Sequence, residues 1–183
     1  MTEFDDYCNS LFEEAKYYLE RAKTTISNPD LQQAMLHSSL LLGMSALEAY
    51  INAIAEELCS NEGFNLNDFE KALLLERKLS IDHGIVRMEK GLQMSRLIDR
   101  IEFIYCKYSH RKIDNNAKWV IGIKETIQIR NDLVHPKIAL SLTYEKTNRA
   151  LEAILDTLNE LYLAVYKRRI PIYNYGLQSI TLS

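Results

Sequence analysis

The segment Arg130-Asn131-Asp132-Leu133-Val134-His135-Pro136 holds the most chemically suggestive side chains in this chain of 183 residues. A guanidinium stays charged at every physiological pH, while an imidazole exchanges a proton near neutrality. Held together, they suit cleavage of a phosphodiester. One group moves the proton, and the other stabilises charge developing on phosphate oxygens. Residues on a helix advance by about 100° each. Ile123, Ile127, Arg130 and Val134 therefore share one stripe, and the arginine lies on a face that is otherwise apolar. A guanidinium there needs an acidic partner or an anionic ligand. His135 follows five positions later and would diverge from Arg130 on an ideal helix, by about 140°. Pro136 forces the helix to break just there, which offers the imidazole a way back toward the arginine. Asp132 is placed to orient the ring through its other nitrogen.

A second constellation lies upstream. Ser45, Glu48 and Asn52 form a narrow polar stripe on a rod that is otherwise rich in Leu, Met and Ile. A carboxylate on a buried helix is rarely left unpaired. Glu48 is the natural partner of Arg130 if the two helices pack together.

The elements that must position these groups read as helices. Helical spacing predicts a first helix over residues 3–27, with Tyr7, Leu11, Ala15, Tyr18 and Ala22 as its inner stripe and Glu13, Glu14, Lys16 and Glu20 elsewhere. Asn28-Pro29 reads as a cap followed by a first-turn proline. It opens a long, apolar and central helix over 29–60. A shorter helix over 67–79 starts at Asn67, with Glu70 completing a capping box. The stretch from Ser80 to Gly91 reads as a loop or irregular insertion. Further helices are expected over 94–108, 116–134 and 143–169. Pro136 and Pro171 end the last two. The tail, 170–183, is read as either an extended strand or an unstructured end. Only three prolines and six glycines interrupt the chain. The expected architecture is one all-α domain over 1–183, an antiparallel helical bundle with core 3–169 and an extra helical insertion between the second helix and the later core helices.

Composition narrows the function classes. The net charge is −3 and the pI about 5.8, so nucleic-acid binding, if present, is local and not driven by a basic surface overall. Arg111-Lys112 and Lys167-Arg168-Arg169 read as solvated helix ends or faces. Cys8, Cys59 and Cys106 are odd in number and widely spaced, which favours reduced thiols over disulfides or a zinc site. The amino terminus is acidic, unlike a secretory leader, and no uninterrupted apolar run is long enough to span a bilayer. A cytoplasmic, soluble protein is expected. No cluster of His, Cys or carboxylates has metal-ligand spacing, and neither a phosphate-binding glycine loop nor Gly-x-Ser-x-Gly occurs, so no metal or cofactor is expected.

An arginine followed by four to six residues and a histidine, at a helix end in an all-α domain, resembles the signature of the HEPN superfamily. Asn131 after the arginine and the Ser45-Ala46-Leu47-Glu48 run on the second helix are similar to features of that group. The resemblance spans roughly 31–162 and fits only loosely at the first helix and over 61–91. It implies a metal-independent endoribonuclease of the toxin–antitoxin or phage-defence kind. Such proteins are homodimers with a composite RNA cleft at the interface. Carried over, His135 is the acid/base group, Arg130 the phosphate holder, Asn131 a positioning group and Glu48 the brace of Arg130. Ser45, Asn52 and Asp132 support them, Lys124 and Lys137 contact RNA, and an antitoxin or defence protein is a possible partner. The position two residues beyond the histidine is Lys137, where the branch silenced by nucleotidyl transfer has tyrosine. Arg77 and His83 repeat the spacing, but they precede Gly84 in the irregular region. His37 and His110 read as an ordinary partly buried residue and a solvated turn residue. The competing reading has no chemistry. Glu48, Arg130 and Asp132 then fix helix register, His135 caps a helix end, and the domain is a dimerisation, partner-binding or nucleotide-binding module.

Overall fold

The computed structural model describes residues 3–180. Among these, six α-helices and one two-stranded sheet account for the regular structure apart from two short 3-10 turns. The helices are α1 (Glu3–Thr24), α2 (Pro29–Ser60), α3 (Asp68–Leu74), α4 (Leu97–Ser109), α5 (Lys118–Val134) and α6 (Tyr144–Tyr166).

Local chemistry sets the boundaries. Asn28 Oδ1 accepts the Leu31 N–H at 3.1 Å, and Pro29 sits in the first turn of α2, where its missing N–H costs nothing. Asn67 and Glu70 exchange both capping-box hydrogen bonds at the start of α3. Thr143 Oγ1 accepts the Lys146 N–H to open α6. His110 and Lys167 close α4 and α6 in the left-handed region.

The central rod is α2. Leu36, Leu40, Met44, Leu47, Ile51, Ile54 and Leu58 are all buried. Its length and hydropathy match those of a membrane span, yet it packs against α1, α5 and α6 of the same chain. The buried face of α1 is Cys8, Phe12, Ala15, Leu19 and Ala22. It is rotated from the expected stripe, and Tyr7 faces solvent. Two stripes share Ala15 and Ala22, and the one carrying Phe12 and Leu19 has the larger apolar area to bury. Gly122 lets α5 approach α6 closely. A Cβ there would meet that of Ala153 at 2.8 Å, so even alanine would push the helix away.

The region after α2 corrects the expected helical insertion. It holds α3, which ends at Leu74 and not near 79, and then a hairpin of β1 (Arg77–Asp82) and β2 (Ile85–Leu92). His83 and Gly84 form the two-residue turn, both at positive φ. Such a turn matches the right-handed twist of the flanking strands.

The tail is neither an added strand nor loose over its described part. Ile170 and Ile172 are buried, and Pro171–Tyr175 form a 3-10 turn. The segment then straps across α1. Lys16 Nζ donates to the Gln178 carbonyl at 2.9 Å. Glu20 accepts the Ser179 N–H at 2.8 Å and Glu13 the Ile180 N–H at 2.9 Å. Glu13 and Lys16, read from sequence as part of the outer face, are therefore buried as an ion pair. Burial alone would raise the Glu13 pKa. The hydrogen bonds from Lys16 and the Ile180 N–H outweigh it and hold the carboxyl below its ordinary value. The end of the expected tail, 181–183, lies outside the described residues.

Candidate active site at the end of the fifth helix

The stripe on α5 emerges from the core as the helix runs. Ile123 is fully buried, Ile127 is half-buried, and Val134 is 46% exposed. Arg130 lies at the transition. Its Nη2 donates to Glu48 Oε1 at 2.6 Å, joining α5 to α2. The bond is short and charge-assisted. Neither group is sealed, since the arginine side chain keeps 26% and the glutamate 45% of its surface. Glu48 was expected on a buried rod. The polar stripe of α2 instead faces partly outward, with Ser45 and Asn52 exposed.

His135 caps α5. Its backbone N–H donates to the Asn131 carbonyl at 2.8 Å, and its φ of −122° and ψ of 63° leave the helix just before Pro136. The imidazole is exposed, and among the described residues nothing hydrogen-bonds to it. The Asn131 side chain is likewise without a hydrogen-bond partner among them. Asp132 does not stand behind the imidazole. It is exposed and accepts from Gln128 Nε2 at 2.8 Å, one turn back on the same helix. An i, i+4 side-chain pair on an exposed helix face forms without tertiary help.

The two lysines differ. Lys137 is exposed in the segment after α5. Lys124 bridges to Glu102 of α4 at 3.0 Å and to Asn115 at 2.9 Å, so its charge is already committed within the fold. Asn52 does not join the Glu48–Arg130 pair either. Its Oδ1 accepts from Arg100 Nη2 at 2.7 Å.

Arg100 is the residue the sequence reading missed. It is only 4% exposed. Glu76 lies 3.5 Å from its Nη1, and its Nε is buried with no partner among the described residues. Burial lowers its pKa, opposed by the nearby charges of Glu76 and Glu48. Glu48 thus binds one open guanidinium, while the enclosed one binds Asn52 one turn further along α2. The signal was present in the sequence, because Arg100 falls on the stripe of Leu97, Ile101 and Ile104 just as Arg130 falls on its own.

The similarly spaced Arg77 and His83 lie at opposite ends of β1 and its turn, where Arg77 donates to the Lys90 carbonyl. A groove of about 1260 Å3 runs past Asn52, Arg100 and Tyr166 toward the tail, and neither Arg130 nor His135 lines it. The candidate site is an open surface at a helix end, with His135 exposed and Arg130 partly so. Among the described residues no three His, Cys or carboxylate side chains converge as a metal-binding set. No family model, curated protein or solved structure matches the chain.

Proposed function

We propose that this chain is a HEPN-type endoribonuclease acting in the cytoplasm without a metal ion, with its active surface at the end of α5. The observation that carries the reading is the Arg130 guanidinium, held by Glu48 at 2.6 Å yet open to solvent, on the same helix end as an unengaged His135. Glu48 takes one edge of the guanidinium and leaves donors on the others for phosphate oxygens. In the reaction, the imidazole takes the proton of a ribose 2′-hydroxyl. That oxygen attacks phosphorus, the bond to the 5′-oxygen breaks, and the leaving oxygen is protonated. The products are a 2′,3′-cyclic phosphate and a 5′-hydroxyl. Asn131 positions the phosphate or the ring, and Lys137 adds local positive charge.

The proposed assembly is a homodimer that brings two such helix ends together. Val134 and Ile138 flank His135 and are exposed at 46% and 81%, an apolar surface of the sort a subunit contact covers. A toxin or phage-defence role, with an antitoxin or defence partner, follows from the HEPN reading and stands or falls with it. The alternative, a non-catalytic dimerisation, partner-binding or nucleotide-binding module, draws on the same exposed apolar residues. The two separate in one assay. Purified protein is incubated with mixed-sequence RNA in EDTA beside His135→Ala. The nuclease reading expects cleavage by the parent chain and a loss of about a hundredfold or more in the variant, at unchanged stability. Equal cleavage by both chains removes the role given to His135, and cleavage by neither leaves the binding module.

A further inference from the structure

The hairpin of β1 and β2 touches the helical body through α3 and keeps a partly open apolar face, with Leu79 and Val86 half-buried. Directly opposed residues in an antiparallel pair share a face. Leu79 opposes Met88 and Ile81 opposes Val86, so these four apolar side chains lie together. Ile81 is 74% and Met88 40% exposed. A two-stranded hairpin is marginal in water unless further strands or a helix cover its apolar face; α3 touches both strands, yet Ile81 and Met88 stay open.

The free edge of β1 has a definite pattern. The two-residue turn makes Asp82 and Ile85 the hydrogen-bonded closing pair. Alternation makes Ser80 and Arg87 the next bonded pair. Leu79 and Ile81 therefore turn their N–H and C=O groups outward. No backbone bond from another part of the described chain meets these groups. The irregularity in the hairpin sits in β2, where several residues span the step from Arg77 to Leu79, so β1 itself runs regularly.

We propose that β1 pairs antiparallel with β1 of a second copy of this chain, across a twofold axis at Ser80. In that register each outward Leu79 meets an outward Ile81 of the other copy, giving two bonded pairs. Lys78 meets Asp82, twice. Ser80 meets itself as a non-bonded pair on the axis. The result is a four-stranded sheet, β2-β1-β1-β2, with eight apolar side chains on one face and complementary charges on the other. An isologous contact requires such self-complementarity. The corresponding pairing of β2 about Arg87 would set that arginine against its own copy, which disfavours the other edge. This contact is separate from the one proposed at the end of α5 and does not rest on the nuclease reading; where both form, losing the hairpin contact lowers the assembly by one step and not to the monomer. The hairpin pairs whether or not His135 acts on RNA.

Sedimentation of the full chain tests it. Lys78→Asp alone sets Asp82 against a like charge and weakens dimerisation by roughly tenfold. Asp82→Lys does the same. The double variant Lys78→Asp/Asp82→Lys restores the dimer. It still lacks the Asp82–Arg87 pair within each hairpin, 3.6 Å in the parent chain, so recovery reports the contact between copies. Ser80→Cys supplies a second readout. Non-bonded antiparallel partners sit about 4.5 Å apart at Cα, within disulfide range. Mild oxidation is expected to link the copies through Cys at 80, while Lys90→Cys on the far strand stays unlinked. Circular dichroism checks that each variant is folded. A monomeric parent chain, a dimer indifferent to the single charge changes, or the absence of a link through position 80 overturns the proposal.

Discussion

Two arginines reach α2 from neighbouring helices, one turn apart, and meet opposite surroundings. Arg130 comes from α5 to Glu48 and keeps a quarter of its side-chain surface. Arg100 comes from α4 to Asn52 and Glu76 and is almost wholly enclosed. Enclosure costs an ion its hydration, which the Coulombic gain repays only with full hydrogen bonding. Arg100 lacks that, since its Nε has no partner among the described residues. An enclosed guanidinium whose two Nη groups reach Asn52 and Glu76 ties helices together. One that keeps donors in water can hold a ligand. The same side chain, on the same kind of apolar stripe, is architecture in one place and a candidate phosphate site in the other.

Replacing each arginine breaks or sharpens the contrast. Arg100→Ala loses a packed aliphatic stem and strands Glu76 near the core edge, and denaturant unfolding is expected to show a loss of about 3 kcal/mol. Arg130→Ala removes a partly exposed pair and should cost less than about 1 kcal/mol. Equal losses would mean that the pair on α5 is as structural as the one on α4. A smaller effect separates the buried pair beneath the tail from both. The Glu13 carboxyl is held below its ordinary value of 4.5. Its contacts therefore add stability above that pH, and this is lost as pH falls through the lower folded value. Thermal unfolding should show Glu13→Gln less stable than the parent chain near pH 6, with the gap closing as pH falls below 4.5 and through the lower folded value.

What the sequence disclosed follows from length and repetition. Helix α2 was legible end to end, because Asn28-Pro29 marks its start and an apolar pattern of many turns leaves no other reading. The approach of Glu48 to Arg130 was legible because each is a charge within such a pattern. Arg100 met the same test over a shorter helix and was overlooked. The hairpin also left a trace: Leu79-Ser80-Ile81-Asp82 and Val86-Arg87-Met88-Glu89 alternate with period two around a glycine turn. That signal is only four residues long on each side, and His-Gly is a weaker turn marker than Asn-Gly. The burial of Glu13 and Lys16 was not legible at all, since it depends on a tail that returns from the far end of the chain. The openness of Glu48 was equally hidden, because the pattern of one helix does not say where its neighbours stop.

The most direct measurement is cleavage of one defined RNA, in EDTA, by Arg130→Ala and Arg100→Ala side by side, each at a temperature where it is fully folded. Arg130→Ala is expected to lose about a hundredfold or more in rate, while Arg100→Ala keeps a rate near that of the parent chain. Full cleavage by the Arg130 variant would contradict the phosphate-holding role of that side chain.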